Sequence, residues 1–293
     1  MGAQYADLAS LLVIYQFKVA QNVPRSGSIE YSQLATLCGT EENTLRRIIR
    51  YAMTNALFHE PEPGRVAHTE LSLHMSESDT MDGLGMALGE LMPAFLELPA
   101  AFEKFPRSNE PEETAYSIAN DTELPLYRYL QEHHPDRERR FGAAMRYYAR
   151  RQDLDLKYLC QMYPWHSCDN EKTLVVDVGG GQGTVSTKLA SYTTKMRFLV
   201  QDLEKTVAAG EALLPAELKP RIDFMTHDFF QEQPIRGADI YIMKWIMHNW
   251  SDKYCLRILR AIVPALKPGA KVLLFEYVLH DKPDNKWTSK LPM

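Results

Sequence analysis

The residues most able to do chemistry in this sequence follow short apolar runs in its second half. The first of them form a glycine-rich turn, 179–183, between the apolar run 174–178 and a segment with helical character. Because glycine has no Cβ and tolerates positive φ, such a turn lets the backbone approach a ligand closely. The amides at the start of the next helix also point towards that ligand. The turn therefore predicts a ligand site, and an ordinary strand-to-helix turn is the alternative.

Polar groups also follow each of the next four apolar runs. Asp202 comes about twenty residues after the turn, a spacing at which a carboxylate can accept hydrogen bonds from two ribose hydroxyls. Asp228 and Phe229 offer a carboxylate and an aromatic face suited to an adenine ring. His248 and Glu276 follow the last two runs. This recurrence favours one shared cleft over an isolated structural turn.

The elements that must position these residues follow an α/β pattern. Five apolar runs are predicted as strands, and they alternate with helical segments, which indicates a mostly parallel, doubly wound sheet. Right-handed crossovers in such a sheet bring the carboxyl ends of the strands to one edge, where ligands bind near the switch point. The predicted strands are 174–178, 196–200, 222–225, 240–243 and 271–275.

The first half of the chain is predicted to be helical, with a pattern typical of a winged helix. An apolar, buried helix is expected over 8–17. A helix capped by Ser32 and stopped by Gly39 precedes a second helix capped by Thr40. The segment 60–64 has the composition of a hairpin tip.

Further helices are expected between this region and the first strand. The segment 83–105 is rich in Leu, Met and Phe and predicts a buried helix, and a polar loop follows over 107–114. Aromatic and charged residues at helical spacing predict more helix over 124–163, with Met145 on its inner face.

Three arginines on the second of the capped helices raise a DNA-binding alternative. Arg46, Arg47 and Arg50 lie on its expected outer face. Four nearby glutamates and a net charge of −5 argue against contact with nucleic acid. We therefore expect no nucleic-acid partner.

Composition restricts the location and the cofactors of the protein. Apolar residues make up 45% and charged residues 24%, which is ordinary for a globular protein. No apolar run approaches the ~18–20 residues of a bilayer span, and the start lacks the basic residues of a signal peptide. The four cysteines form no CxxC pair, and no cluster has metal-ligand spacing. We expect a cytoplasmic protein with reduced thiols, no membrane partner and no metal.

Six short motifs lie at or near the predicted strand ends. They are V-D-V-G-G-G-Q-G at 176–183, V-Q-D-L at 200–203, H-D-F-F at 227–230, G-A-D-I-Y at 237–241, H-N-W-S-D at 248–252 and L-K-P-G-A at 266–270. Through them the chain resembles the S-adenosylmethionine-dependent O-methyltransferases of the plant caffeate type and their fungal secondary-metabolite relatives. The resemblance is close over about a hundred residues, 174–279, and weaker elsewhere.

The resemblance implies a fold and an activity. It implies a Rossmann-like S-adenosylmethionine-binding domain after an α-helical, winged-helix-like region through which a homodimer forms. It also implies metal-independent transfer of a methyl group to a small-molecule hydroxyl, usually a phenol or an enol, which leaves S-adenosylhomocysteine as the product.

The resemblance further implies residue roles. His248 would take the proton from the acceptor hydroxyl, because the pKa of imidazole lies near neutrality, and Glu276 would hold its other nitrogen. The glycine turn would hold the methionine end of the cofactor, Asp202 the ribose, and Asp228 with Phe229 the adenine. The expected cofactor-binding residues are Gly179, Gly180, Gly181, Gly183, Asp202, Asp228, Phe229 and Lys244, and the expected substrate-binding residues are Met145 and Trp245.

The sequence departs from the family pattern at its ends. Family members have further N-terminal helices and, after the fifth strand, a long helix and two strands with a second catalytic glutamate, so we expect truncation at both ends. Three interpretations follow: an active methyltransferase, a non-catalytic homologue acting as a partner subunit, or a pericyclase or dehydratase on the same fold. We expect the first, with a DNA-binding regulator as a remote alternative. The expected domains are 1–80 for dimerisation, 81–168 as a helical linker that lines the substrate, and 169–293 for the cofactor.

Overall fold

A computed structural model describes residues 4–149 and 155–276 of the chain. The chain divides into two compact units. The first unit consists of Met1–Ser108 and Glu112–Tyr148, and the second unit of Asn109–Pro111 and Ala149–Met293. The domain boundaries expected after residues 80 and 168 stay predictions.

The first unit is built from helices around an apolar core. Ile14, Tyr31 and Ile49 belong to this core, and each is at most 1% exposed. Two short strands, β1 (Ile29–Glu30) and β2 (Arg65–Val66), pair in antiparallel fashion. The helices are α1 (Gln4–Gln16), α2 (Val19–Asn22), α3 (Tyr31–Cys38), α4 (Glu42–Met53), α5 (Glu70–Met75), α6 (Ser78–Met86), α7 (Met92–Leu96), α8 (Leu98–Lys104), α9 (Ala115–Ala119), α10 (Leu126–His133) and α11 (Pro135–Ala149), and a π-helical segment, Ala87–Leu91, joins α6 to α7.

Helix α1 starts earlier and is less buried than predicted. It ends at Gln16, and Leu8 and Phe17 are 43% and 39% exposed. Only one face of the helix reaches the core, through Ser10 and Ile14. The expectation of a buried helix over 8–17 is therefore correct for one face alone.

Helix α3 ends as predicted but begins differently. Its N-cap is Glu30, so the prediction of a Ser32 cap is wrong. Gly39 stops the helix with a φ of 64°, a conformation that glycine adopts without strain.

Helix α4 is capped by Glu41, and the prediction of a Thr40 cap is also wrong. The Thr40 amide donates to the Ala35 carbonyl at 2.9 Å, so this residue closes the preceding helix. The Glu41 carboxylate accepts hydrogen bonds from the amides of Asn43 and Thr44, at 2.8 and 2.7 Å. These bonds lower the pKa of Glu41.

An antiparallel bridge between His59 and Ala67 flanks the predicted hairpin tip, 60–64. Two of the three arginines of α4 have acidic partners. Arg46 pairs with Glu42. Arg50 likewise pairs with Glu60, at 3.1 Å. The winged-helix assignment and its role in dimerisation stay predictions.

The segment 83–105 is not one buried helix, as was predicted. It contains the π-helical segment and two short helices, each with a proline at its second position, where the missing amide hydrogen costs no hydrogen bond within the helix. Leu96 and Phe102 are 72% and 70% exposed. Among the described residues, no single helix has the length and apolar composition of a bilayer span, although the bent pair Ser78–Leu96 and Leu98–Lys104 meets both criteria together.

The elements of the second unit are α12 (Lys157–Met162), β3 (Leu174–Val178), α13 (Thr184–Tyr192), β4 (Arg197–Asp202), α14 (Glu204–Leu213), β5 (Ile222–Thr226), β6 (Ile240–Lys244), α15 (Asp252–Ile262) and β7 (Lys271–Phe275). The five strands form a parallel sheet with the strand order β5-β4-β3-β6-β7. The chain runs outward from β3 to β4 and β5 and then returns to the other side of β3 as β6. The switch point therefore lies between β3 and β6, where the carboxyl ends of the two strands leave a crevice.

Two apolar layers cover the sheet. Val175 and Ile242 belong to the layer on one face, and Val176 and Tyr241 to the layer on the other. Because both faces are covered, the strands are nearly continuous apolar runs, which is what made them predictable. Strands β3 and β7 have the predicted bounds, and the other three differ from the prediction by one or two residues.

Candidate active site

The glycine-rich turn lies at the carboxyl end of β3. Gly179, Gly181 and Gly183 have φ values of 66°, 59° and 79°. A Cβ at Gly180 would lie 2.6 Å from the carboxyl carbon of Asp177, closer than side chains approach. No heavy atom of the described residues lies within 4 Å of the place where a Cβ of Gly181 would be. The turn thus requires glycines and leaves space at its centre.

Asp202 ends β4 beside this turn. Its Oδ2 accepts a hydrogen bond from the Gly181 amide at 2.9 Å, and its Oδ1 accepts one from the Leu203 amide at 2.8 Å. Burial raises the pKa of Asp202 more than these two bonds lower it. The structure therefore brings together two of the residue sets that the sequence predicted for the cofactor.

Asp177 is a site residue that the sequence analysis did not assign. It is 1% exposed, and its Oδ2 accepts a hydrogen bond from the Ser186 hydroxyl at 2.7 Å. Its Oδ1 accepts no hydrogen bond from any residue that the structure describes. Burial raises the pKa of Asp177 to about 6. The available signal was a carboxylate inside an otherwise apolar strand, where an unpaired charge is costly.

Lys244 and Trp245 lie at the end of β6. The Lys244 Nζ is 2.8 Å from the centroid of the Trp245 ring. Burial lowers the pKa of Lys244 to about 7, although the nearby carboxylates of Asp177 and Glu276 favour its protonated form. Trp245 has a φ of 57°, which costs free energy in a bulky residue and is typical of functional sites.

His248 and Glu276 form a hydrogen-bonded pair at neighbouring strand ends. His248 belongs to a short 3₁₀ turn after β6, and Glu276 directly follows β7. The His248 Nδ1 lies 2.6 Å from the Glu276 Oε2, and the Glu276 Oε1 accepts the amides of Ile246 and Met247 at 2.7 and 2.8 Å. Burial raises the pKa of Glu276, but the bonds from His248 and these amides outweigh it, so the pKa lies below its ordinary value.

This pairing determines what the imidazole can do. An ionised carboxylate only accepts hydrogen bonds, so Nδ1 is the donor of this bond, and in a neutral imidazole the lone pair then lies on Nε2. The His248 side chain is 44% exposed, and within residues 4–149 and 155–276 no hydrogen bond reaches its Nε2. The arrangement is that of a general base oriented by a carboxylate.

Asp228 and Phe229 follow β5 and differ in placement. Asp228 is exposed, and its Oδ1 accepts the Phe230 amide at 2.9 Å within its own loop. Phe229 is half-buried beside the glycine turn, since a Cβ at Gly179 would lie 3.4 Å from its ring. The structure thus places the Phe229 ring against the turn and pairs the Asp228 carboxylate with an amide of its own loop.

The remaining predictions concern Met145 and metal ions. Met145 lies on α11 and is half-buried in the first unit, whereas the other predicted site residues belong to the second unit. Among the described residues, no group of three or more His, Cys, Asp or Glu side chains could hold a metal ion.

Comparisons with known proteins agree with this geometry. The model of the O-methyltransferase domain family matches residues 143–292. O-methyltransferase AMT9 of Alternaria alternata is 39% identical over 92% of this chain and 63% of its own length. The chlorophenol O-methyltransferase of Trichoderma longibrachiatum is 32% identical over 98% of this chain and 62% of its own length. The chain thus spans less than two thirds of the length of these curated relatives.

The solved structure of LepI in complex with S-adenosylmethionine has the same fold. It superposes with a TM-score of 0.82 at 21% identity, over 98% of this chain and 74% of LepI. The match to the family model covers more than half of the sequence. The chain therefore belongs to the O-methyltransferase domain family.

Proposed function

We propose that the chain is an S-adenosylmethionine-dependent O-methyltransferase that acts on a phenolic or enolic hydroxyl of a small molecule in secondary metabolism. The observation that carries the proposal is the His248–Glu276 pair, with a 2.6 Å hydrogen bond on one side of the imidazole and, on the other, an Nε2 that no described residue bonds. The names of the relatives, one of them a chlorophenol O-methyltransferase, support a hydroxylated aromatic acceptor.

The residues at the strand ends fit S-adenosylmethionine. The space above Gly181 is expected where a ligand is bound by backbone amides. The buried Asp177 Oδ1, which accepts no hydrogen bond from any described residue, is expected where an ammonium group binds. Asp177 and the glycine turn would hold the methionine end, with Lys244 beside it, and Asp202 would hold the ribose hydroxyls. Phe229, with Asp228 at its loop, would hold the adenine. When bound, the cofactor supplies an electrophilic methyl group.

The protein's own part in the reaction is to move a proton and to hold the acceptor. The His248 Nε2 accepts the proton of the acceptor hydroxyl, and Nδ1–H keeps donating to the Glu276 Oε2, which stabilises the imidazolium. The Glu276 Oε1 fixes the turn that carries His248 through the amides of Ile246 and Met247. We propose that Trp245 contacts the acceptor, and a role of Met145 in acceptor binding stays a prediction from sequence.

The test is turnover of a panel of phenols and enols by the purified chain, measured as S-adenosylhomocysteine released. We expect His248→Ala to lower kcat by about 10²–10⁴-fold, because the general base is lost, while the Kd for S-adenosylhomocysteine changes less than twofold. Glu276→Gln keeps a carbonyl acceptor for the two amides but removes the charge, so kcat should fall by about tenfold or more. Added EDTA should have no effect.

Three other outcomes would contradict this proposal or favour an alternative function. Unchanged kcat in His248→Ala would contradict the assignment of the base. Conversion of an acceptor without release of S-adenosylhomocysteine would contradict methyl transfer and fit a pericyclase or dehydratase. Cofactor binding without turnover of any acceptor would fit a non-catalytic partner subunit.

Two further proposals concern the protein's assembly and location. We propose a homodimer, which exposed apolar side chains of α7 and α8 such as Leu96 and Phe102 support. Multi-angle light scattering should give twice the 33.6 kDa of the chain. We also propose a cytoplasmic location, which microscopy of a fluorescent fusion would test.

A further inference from the structure

Two buried glutamines, Gln201 and Gln233, form a reciprocal pair beside the candidate cofactor site. They are 0% and 2% exposed. The Gln201 Nε2 donates to the Gln233 Oε1 at 2.9 Å, and the Gln233 Nε2 donates back to the Gln201 Oε1 at 2.7 Å. Two amides that each donate to and accept from the other hold one relative position, which an apolar contact of the same volume does not require.

Gln201 connects the pair to the glycine turn. It immediately precedes Asp202 on β4, and its backbone carbonyl accepts the amide of Gly180 at 3.0 Å. Its Nε2 also lies 3.6 Å from the Met225 Sδ on β5. One residue therefore contacts the turn, the strand that carries Asp202 and the neighbouring strand.

Gln233 connects the pair to the loop between β5 and β6. This loop, 227–239, carries Phe229. The Gln233 Oε1 also accepts a hydrogen bond from the backbone amide of Ile235 at 3.1 Å. The backbone amide of Gln233 donates to the Ala261 carbonyl of α15 at 2.9 Å. The buried hydrogen bonds between the two side chains thus connect this loop to β4.

We infer that the Gln201–Gln233 pair positions the adenosine half of the cofactor site by fixing the distance between Asp202 and the loop that carries Phe229. The inference rests on the proposed function, since it assigns the ribose to Asp202 and the adenine to Phe229. Neither glutamine contacts the ligand in this assignment, so both are positioning residues. Loss of either glutamine affects ligand affinity because it changes the relative positions of Asp202 and Phe229, which do contact the ligand in this assignment.

The decisive variant is Gln233→Glu, which keeps the shape of the side chain. At pH 8 its carboxylate cannot donate to the Gln201 Oε1, and we expect the Kd for S-adenosylhomocysteine to rise at least tenfold. At pH 5.5 the protonated acid donates again, and the rise should shrink to less than threefold. Each Kd is divided by the wild-type Kd at the same pH. This ratio removes the pH dependence that Asp177 and Lys244 give to ligand binding, since both proteins contain these residues.

A matched control and a second ligand localise the effect. Gln231→Glu makes the same change at an exposed position of the same loop and should leave the Kd ratio near one at both pH values. 5′-Methylthioadenosine contains the adenosine half without the amino-acid end, so its Kd should rise by the same factor as that of S-adenosylhomocysteine. Calorimetric titration at 15 °C, with folding checked by circular dichroism, gives all of these values.

The outcomes separate this inference from the proposed function. If the wild-type chain binds neither ligand, the cofactor proposal itself is overturned. If the wild type binds but Gln233→Glu stays within twofold of it at pH 8, or loses affinity for S-adenosylhomocysteine alone, the positioning role is overturned. If Gln233→Glu does not fold, the apolar double variant Gln201→Leu/Gln233→Leu replaces it, and wild-type affinity in that variant would overturn the role.

Discussion

Lys244 shows how a single residue of the site opposes stability. A lysine at the end of a buried strand loses solvation, which is why burial lowers its pKa to about 7. The nearby carboxylates of Asp177 and Glu276 stabilise the charged form of Lys244, but they offset only part of the loss of solvation. A group that is costly in the folded chain and lies beside a ligand cleft is typical of a functional residue.

The free energy of unfolding should therefore depend on pH through Lys244. Its folded pKa lies below the ordinary value of 10.5, so between about pH 7 and pH 10 the unfolded chain binds more protons and stability rises with pH. The free energy of unfolding of Lys244→Met should lack this rise. Between pH 7 and pH 9.5 the difference between wild type and this variant should therefore grow by about 3 kcal/mol in favour of wild type. Urea unfolding followed by tryptophan fluorescence measures the difference. The exposed Lys219→Met is the control, and curves for wild type and Lys244→Met that stay parallel would contradict the assignment.

At the scale of elements, helix α4 shows how neighbouring residues compete for one cap. Thr40 has the more usual capping side chain, but its amide is bonded to the preceding helix and its Oγ1, which is buried, has no partner among the described residues. Glu41 has an extended backbone, with φ −81° and ψ 134°, and its longer side chain reaches two free amides. The cap is thus decided by the end of one helix and the start of the next together.

Substitutions at these two adjacent positions should have opposite consequences. Glu41→Ala leaves the amides of Asn43 and Thr44 without their partner and should lower the melting temperature by about 2–4 °C. Thr40→Val keeps the shape of the side chain and removes a buried hydroxyl that has no partner within residues 4–149 and 155–276, so the melting temperature should stay level or rise. Circular dichroism at 222 nm gives both values. A larger loss for Thr40→Val than for Glu41→Ala would restore the cap that the sequence suggested.

The same contrast explains what could be predicted from sequence. Strands such as β3 and β7 are apolar runs with glycine or polar residues at both ends, so local pattern determines them. The His248–Glu276 pair was predictable from the family motifs. Asp177 and the glutamine pair were not assigned, because a buried polar side chain obtains its meaning from partners distant in the sequence. The exposed turns of α7 and α8 were missed because composition does not tell which face of an apolar helix is covered.

At the scale of the whole molecule, the two units can be observed separately. The sequence has no tryptophan before Trp165, and Trp165, Trp245 and Trp250 lie in the described part of the second unit, so tryptophan fluorescence reports on the unit with the candidate site. Most of the described helical residues lie in the first unit, so we expect this unit to dominate the far-ultraviolet circular dichroism. A ligand that binds at the strand ends of the sheet acts first on the tryptophan signal.

S-Adenosylhomocysteine should therefore stabilise the second unit by mass action. At a ligand concentration one hundred times the Kd, the free energy of unfolding from tryptophan fluorescence should rise by about 2.7 kcal/mol. Amide hydrogen exchange should slow in the glycine turn and at Asp202. An unchanged unfolding midpoint at saturating ligand would show that the strand ends do not bind it.

The short segment Asn109–Pro111 has a consequence for modular engineering. It belongs to the second unit, where the Glu110 carboxylate lies 2.6 Å from the Lys253 Nζ and accepts the Tyr254 hydroxyl at 2.7 Å, while the chain on both of its sides belongs to the first unit. The polypeptide therefore passes between the units three times. No single cut yields a contiguous fragment that contains all of one unit and nothing of the other, and a chimaera joined only at residue 149 takes its Glu110 from a different parent than its Lys253. Recombination between relatives should preserve this unit only when the crossover points respect both segments.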